Sequence, residues 1–165
     1  MHGYISDLPN ICRYLGTLKA VPTLDKLSVL IGENIDRYTC TQLAHIAYAY
    51  GNCRLHSKYL FALLAKQLQE KIQYASNHDL TTIANAFGKS EAFALAKHRD
   101  MELFNILSHM AKVYLNSQDL NNVADPEIST RVVRAFCTLK INDITLFNTI
   151  LENVAERPYN YPPAW

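Results

Sequence analysis

The sequence predicts an all-α protein: an α-solenoid of about four antiparallel helix-turn-helix repeats, followed by an extended C-terminal tail. Three observations predict it. A degenerate segment recurs, most clearly as LAHIAYAYG over 43–51 and LTTIANAFG over 80–88, with weaker copies over 8–16 and 129–137. Each copy is followed by a second apolar segment, running from Leu24 to Ile31, Leu60 to Leu64, Leu103 to Leu107 and Leu146 to Ile150. Glycine and proline are sparse, 5 and 6 among 165 residues, which suits helices joined by short turns. Self-similarity at a fixed period marks stacked units, each of which needs its neighbours to bury its apolar face.

The array spans 1–157, in units of about 5–38, 39–76, 77–118 and 125–157. In the first, the copy beginning at Leu8 leads into the apolar segment from Leu24. The second unit is the clearest. Leu43, Ile46, Ala47 and Tyr50 fall at i, i+3, i+4 and i+7, the core stripe of an amphipathic helix. Thr39 or Thr41 can cap its start, since a hydroxyl satisfies a free first-turn amide. Gly51 is expected to end it in the left-handed cap conformation. Leu60, Phe61, Leu64 and Leu68 make the stripe of the next helix, reaching to about Tyr74; so short a link makes the two helices antiparallel. Asp79 is then expected to cap the first helix of the third unit.

The spacing breaks after this point. Leu8 to Leu43 is 35 residues, Leu43 to Leu80 is 37, and Leu80 to the equivalent Ser129 is 49. Part of the excess lies in the stretch from Lys89 to Lys97, whose composition stays helical and predicts a helix lengthened beyond Gly88. The rest precedes Ser129 and contains Asn121, Asn122 and Pro126, which predict a loop, with Asp125 capping and Pro126 at the first helical position. The tail, 158–165, cannot be helical: Pro158, Pro162 and Pro163 exclude it. It reads as a strap across a neighbouring protein surface, anchored by Tyr159, Tyr161 and Trp165.

Composition narrows the function. A hydrophobic content of 49% is ample for one continuous core, and no apolar run approaches the roughly 18 residues of a membrane span. Cys12, Cys40, Cys53 and Cys137 show no C-x-x-C pairing and read as buried, reduced thiols. The six histidines show no H-E-x-x-H or i, i+4 pairing, so neither a metal nor another cofactor is expected. Phosphate-cradling glycine loops and nucleophile elbows are absent from the sequence. Asp100 and Glu102 fit first-turn charges that complement a helix dipole, and Asp119 fits a cap. These features point away from catalysis. The opening MHGY reads as neither a secretory signal nor an Arg-rich transit peptide.

One pattern points to binding. Aligned first helices leave a polar face that varies between units: Asn10, Arg13 and Thr17; His45, Tyr48 and Asn52; Thr82, Asn85 and Lys89; Arg131, Arg134 and Thr138. Spacings of three and four place each trio on one helix face opposite the core stripe. Stacked, they would form a ribbon whose residue types suit RNA, with Arg and Lys for phosphate, Asn and His for base edges and Tyr48 for stacking. The alternative is an ordinary solvated face, or one used against protein. Lys97, His98 and Arg99 form a second basic cluster, fit for a phosphate contact or for a solvated turn. The net charge of +1 requires any RNA site to be a local patch.

The pattern L-x-x-I-A-x-A-[YF]-G followed by L-F-x-x-L, at a period near 37, resembles the heptatricopeptide and octotricopeptide repeats of FASTK-like and RAP-domain organellar proteins. The resemblance covers nearly the whole chain and is strongest over 41–118. It implies an α-solenoid that binds organellar RNA, acting in RNA processing, in translation or as an accessory protein of mitochondrial ribosomes. Mitochondrial localisation is implied by the same resemblance. Larger members often end in a RAP domain, which nothing in this chain matches. The short length fits a small subunit built into a ribonucleoprotein, contacting rRNA and neighbouring proteins. The alternative is a protein-only adaptor, such as an accessory subunit of a respiratory complex.

Overall fold

A computed structural model describes residues 2–55, 57–89, 101–116 and 126–156. Among them the secondary structure is entirely helical, as the periodicity predicts. The helices are α1 (His2–Thr17), α2 (Val21–Glu33), α3 (Cys40–Asn52), α4 (Lys58–Lys71), α5 (Asn77–Lys89), α6 (Met101–Leu115), α7 (Pro126–Thr138) and α8 (Ile144–Glu156). Single 3-10 turns at Ile35–Arg37 and Ile72–Tyr74 follow α2 and α4.

The helices pack in two rows. The odd-numbered ones touch in sequence, α1 on α3, α3 on α5 and α5 on α7; so do the even-numbered ones, α2 on α4, α4 on α6 and α6 on α8. The core lies between the rows and follows the stripes read from sequence. Leu43, Ile46, Ala47 and Tyr50 of α3 are buried, as are Leu60, Phe61, Leu64 and Leu68 of α4. Each large apolar side chain buried in this way contributes about 1.5–3 kcal/mol. Four phenylalanines cross from row to row in edge-to-face contacts. Phe61 meets Phe87 at 6.2 Å between centroids, Phe87 meets Phe104 at 6.3 Å, and Phe104 meets Phe136 at 5.2 Å.

Helix starts follow local chemistry, with one correction. Thr39 is the N-cap of α3: its hydroxyl accepts the Gln42 N–H while the Gln42 side chain accepts the Thr39 N–H, a complete capping box. The α5 cap is Ser76 rather than Asp79. The Ser76 hydroxyl accepts the Asp79 N–H at 3.1 Å, and Asp79 closes the box by accepting the Ser76 N–H at 2.9 Å. This position frees Asp79 to accept the Thr41 hydroxyl of α3 at 3.0 Å as well. Helix α7 begins at Pro126, as expected, whereas Asp125, Asp119, the 121–125 loop and most of the 89–97 insertion lie outside the described residues. The tail with Tyr159, Tyr161 and Trp165 also lies outside them.

Helix ends require a larger correction. Gly51 does not terminate α3, which runs on to Asn52, and no described glycine has positive φ. Gly51 instead permits close approach: a Cβ there would stand 2.8 Å from the Ala86 carbonyl oxygen of α5. Gly16 does the same for α1, where a Cβ would stand 2.8 Å from Ala49 Cα. The left-handed residues are cations three positions further on: Lys19, Arg54 and Lys140, with φ of 53°, 52° and 54°. All three sit in the same cap. Lys19, Arg54 and Lys140 donate their N–H to Gly16, Gly51 and Cys137; the following Ala20, Leu55 and Ile141 donate to Leu15, Tyr50 and Phe136. This is the Schellman arrangement, which closes the free carbonyls of a helix end. A side chain in that conformation costs of order 1 kcal/mol, which glycine avoids.

The thiols divide. Cys12 and Cys40 are buried, and burial pushes them up to about 12 and about 11, the Asp79 charge adding to the rise at Cys40. Cys53 is half-buried and its Sγ lies 3.6 Å from the Gly16 carbonyl. Cys137 is exposed, contrary to expectation, because it occupies the glycine position of the last described odd-numbered helix.

Candidate nucleic-acid interface

Side-by-side packing of α1, α3, α5 and α7 determines what remains of the polar ribbon. Asn10, Arg13 and Arg134 are exposed, but His45, Tyr48, Asn52, Asn85 and Arg131 are half-buried and Thr82 is buried. The trios therefore do not stand fully opposite the core. An inner helix has neighbours on both flanks, and these close over its polar side. Lys89 is the last residue of α5, and its side chain, with all of Lys97 and Arg99, lies outside the described residues.

Several ribbon residues are already engaged, one of them between helices and the others within their own helix. The Asn52 amide donates to the Gly16 carbonyl at 3.2 Å, tying α3 to the end of α1. The hydroxyls of Thr17 and Thr138 turn back onto the carbonyls of Arg13 and Arg134, and that of Thr82 onto His78. The Arg13 guanidinium lies 5.1 Å from the Tyr14 ring centroid and donates to its hydroxyl at 3.3 Å, a cation–π pair on the surface of α1.

The ribbon has a definite charge pattern. His45 titrates below its ordinary 6.5: burial is the main cause, Arg13 and His78 push the same way, and the Asp79 carboxylate opposes them. It is therefore neutral at pH 7 and suited to hydrogen bonding with a base edge rather than to neutralising a phosphate. Asp79, 3% exposed, is satisfied by Thr41 and the Ser76 N–H. Among the described side chains, positive charge on the ribbon lies at its two ends, in Arg13 on α1 and in Arg131 and Arg134 on α7.

Two further surfaces emerge from the packing. One is the edge carrying Lys19, Arg54 and Lys140, all exposed. Its signal was present in the register, a cation three residues after each of Gly16, Gly51 and Cys137 and before an apolar residue. The other is the free face of α1. Ile46, Ile83 and Val132, with Ala49, Ala86 and Ala135, occupy equivalent positions in α3, α5 and α7 and are all buried. Their counterparts in α1 are Ile11 and Tyr14, which are 41% and 61% exposed, beside Tyr4 and Leu18 at 78% and 76%.

Among the described residues no three His, Cys, Asp or Glu side chains converge as a metal-binding group, and no helix is long and apolar enough to cross a membrane. No protein-family model matches the chain, and comparison with curated proteins finds no match.

Proposed function

We propose that this chain is a non-catalytic helical-repeat protein of a mitochondrial ribosome or a related organellar ribonucleoprotein, contacting rRNA and neighbouring proteins. In this reading the two rows are an α-solenoid of four antiparallel helix-turn-helix units. The observation that carries it is the ribbon along α1, α3, α5 and α7, where cations at the ends flank the neutral His45 and the half-buried Tyr48 and Asn85. Cations for phosphate beside neutral groups for bases is the division of labour that RNA contact requires. The resemblance of the repeats to those of organellar RNA-binding proteins supports the same reading. Gradient sedimentation from native cells, with and without RNase, tests it. Sedimentation with a large RNase-sensitive particle carrying rRNA fragments is the expected result; a large particle indifferent to RNase and lacking RNA would overturn it. In the purified protein, Arg131→Ala with Arg134→Ala should weaken RNA binding and flatten its salt dependence.

A second reading, a protein-only adaptor in another mitochondrial complex, is favoured by the free face of α1. A protein interface is the usual role for an apolar patch rimmed by polar side chains. Concentration-dependent association of the pure chain, abolished by Tyr14→Ser with Leu18→Ser, would favour it. A monomer at all concentrations, without a partner, would count against it.

A further inference from the structure

Charge is distributed between the two edges of the helix rows in a way that helix stability does not explain. The turns linking α1 to α2, α3 to α4 and α7 to α8 carry exposed Lys19, Arg54 and Lys140, and exposed Lys58 opens α4. The exposed acid in the opening turns of the even-numbered helices is Glu102, with exposed Asp25 just beyond the first turn of α2; Asp143 is engaged by Ser108, Thr145 and the Leu146 N–H. The opposite edge, where the even-numbered helices end, carries exposed Glu33, Asp36, Glu70, Glu152 and Glu156. Its cations among the described residues are Arg37, Lys71 and Lys112; Lys71 is spent on the Asp36 and Tyr38 carbonyls at 2.6 and 2.7 Å, and Lys112 donates to the Thr145 hydroxyl at 2.9 Å.

A helix dipole favours acids at the N-terminus and cations at the C-terminus. Glu33, Glu70 and Glu156 stand at the wrong end of their own helices, and so does Lys58. The three cap cations have the sign their helices favour, but each holds a side chain at positive φ where glycine is the least strained residue. Both departures separate charge in the same direction, so that among the described residues one edge is basic and the other acidic.

We propose that the basic edge, through Lys19, Arg54 and Lys140, carries the sugar-phosphate backbone of a single-stranded RNA segment, independently of its sequence. This rests on the ribonucleoprotein reading and divides the labour within it. The edge holds backbone, the neighbouring ribbon faces bases, and the acidic edge repels a strand laid the wrong way. The geometry suits that task. Neighbouring helices of a row lie about 8–10 Å apart, so Lys19 and Arg54 stand one helix spacing apart and Lys140 two further along. The rigid Schellman caps fix where each cation emerges.

The same cap supplies the test. In the variant combining Lys19→Gly, Arg54→Gly and Lys140→Gly, glycine relieves positive φ, so the thermal midpoint should hold or rise while RNA binding falls. Anisotropy of a labelled polyuridine oligonucleotide, titrated with salt, gives the readout. Losing three single-strand phosphate contacts should reduce the slope of log K against log salt by about 2. Neutralising the other edge with Glu33→Gln, Glu70→Gln and Glu156→Gln should tighten binding. An unchanged slope in the glycine variant, with the slope lost instead on Arg131→Ala and Arg134→Ala, overturns the edge but leaves the ribonucleoprotein reading standing. Absence of RNA from the native particle overturns that reading, and the edge proposal with it.

Discussion

Between α3 and α5 the spacing is set by a missing side chain, whereas between α6 and α8 it is set by hydrogen bonds. At the first junction Gly51 faces the Ala86 backbone and leaves no room for a methyl group. At the second, Ser108 donates to Asp143 at 2.5 Å, Lys112 to the Thr145 hydroxyl at 2.9 Å, and the Asn153 amide to the Leu115 carbonyl at 3.0 Å. The comparison shows that the two rows need not use the same means to stack. At the first, small residues let α3 and α5 approach closely, with the Thr41–Asp79 bond near their starts; at the second, polar side chains along the length of α6 bridge to α8 and its cap. The first kind of junction should fail by overpacking and the second by loss of an acceptor.

Phe104 belongs to neither kind and should show the largest effect. It touches Phe87 and Phe136 and is 1% exposed, so it joins α5 to α7 from the other row. Phe104→Ala should cost about 3–5 kcal/mol in urea unfolding. A cost near 1 kcal/mol would mean that the aromatic run is incidental to the stacking. Next comes Gly51→Ala. Overpacking costs about 1–3 kcal/mol, of which about 1 kcal/mol is recovered from helix propensity, leaving a net loss of up to about 2 kcal/mol. Gly32→Ala is its internal control. The new methyl would meet the ring of Tyr59 at 3.0 Å, and that ring is 62% exposed and free to swing. Here the propensity term wins, and the midpoint should rise by about 2–4 °C. A loss of stability in both variants would remove the distinction drawn between backbone and side-chain neighbours.

The polar junction is probed through Asp143. This carboxylate caps α8, accepting the Leu146 N–H at 2.9 Å, and also receives the Ser108 and Thr145 hydroxyls. Burial alone would raise its pKa, but these three bonds and nearby Lys112 bring it below the ordinary 3.8. A carboxyl with a lowered folded pKa stabilises the fold above its unfolded value, and that contribution disappears as pH falls through the folded value. Asp143→Ala should therefore cost about 1–2 kcal/mol at neutral pH. The gap from the unmodified protein should close once the pH is well below 3.8. A gap that stays constant into acid would assign the loss to packing rather than to the charged cap.

The two junctions also differ in how far they could be read from sequence. The core was legible because its signal is local: apolar residues recur every three or four positions, and the helices bury those same residues. Capping boxes were nearly legible. Thr39 with Gln42, and Ser76 with Asp79, have the required spacing, but an acid at the third helical position was read as the cap itself. Gly51 was misread because one residue type serves two purposes. Glycine ends helices and also admits neighbours, and only the neighbour, 35 residues away in Ala86, decides between them. Bonds such as Ser108 to Asp143 join residues equally distant in the chain and leave no local trace. The ribbon lay between these cases. Its residue types were visible in sequence, but its exposure depended on helices flanking both sides.

Two buried tyrosines sharpen the comparison at its finest scale. Tyr50, fully buried in α3, donates its hydroxyl to the Leu24 carbonyl of α2 at 2.5 Å, which ties α3 back to α2. Tyr38, 2% exposed in the turn after α2, has a buried hydroxyl with no hydrogen-bond partner. Burial raises the pKa of both, so each stays protonated and each must place a neutral O–H. Removing the oxygen should have opposite consequences. Tyr50→Phe loses a made bond and should cost about 1 kcal/mol, whereas Tyr38→Phe removes an unsatisfied polar atom and should be neutral or stabilising by up to about 1 kcal/mol. Paired urea titrations of the two variants, with m-values compared to exclude a change in the unfolded state, decide the matter. Equal losses at both positions would mean that the Tyr38 hydroxyl has a partner in solution, with a bound water the first candidate.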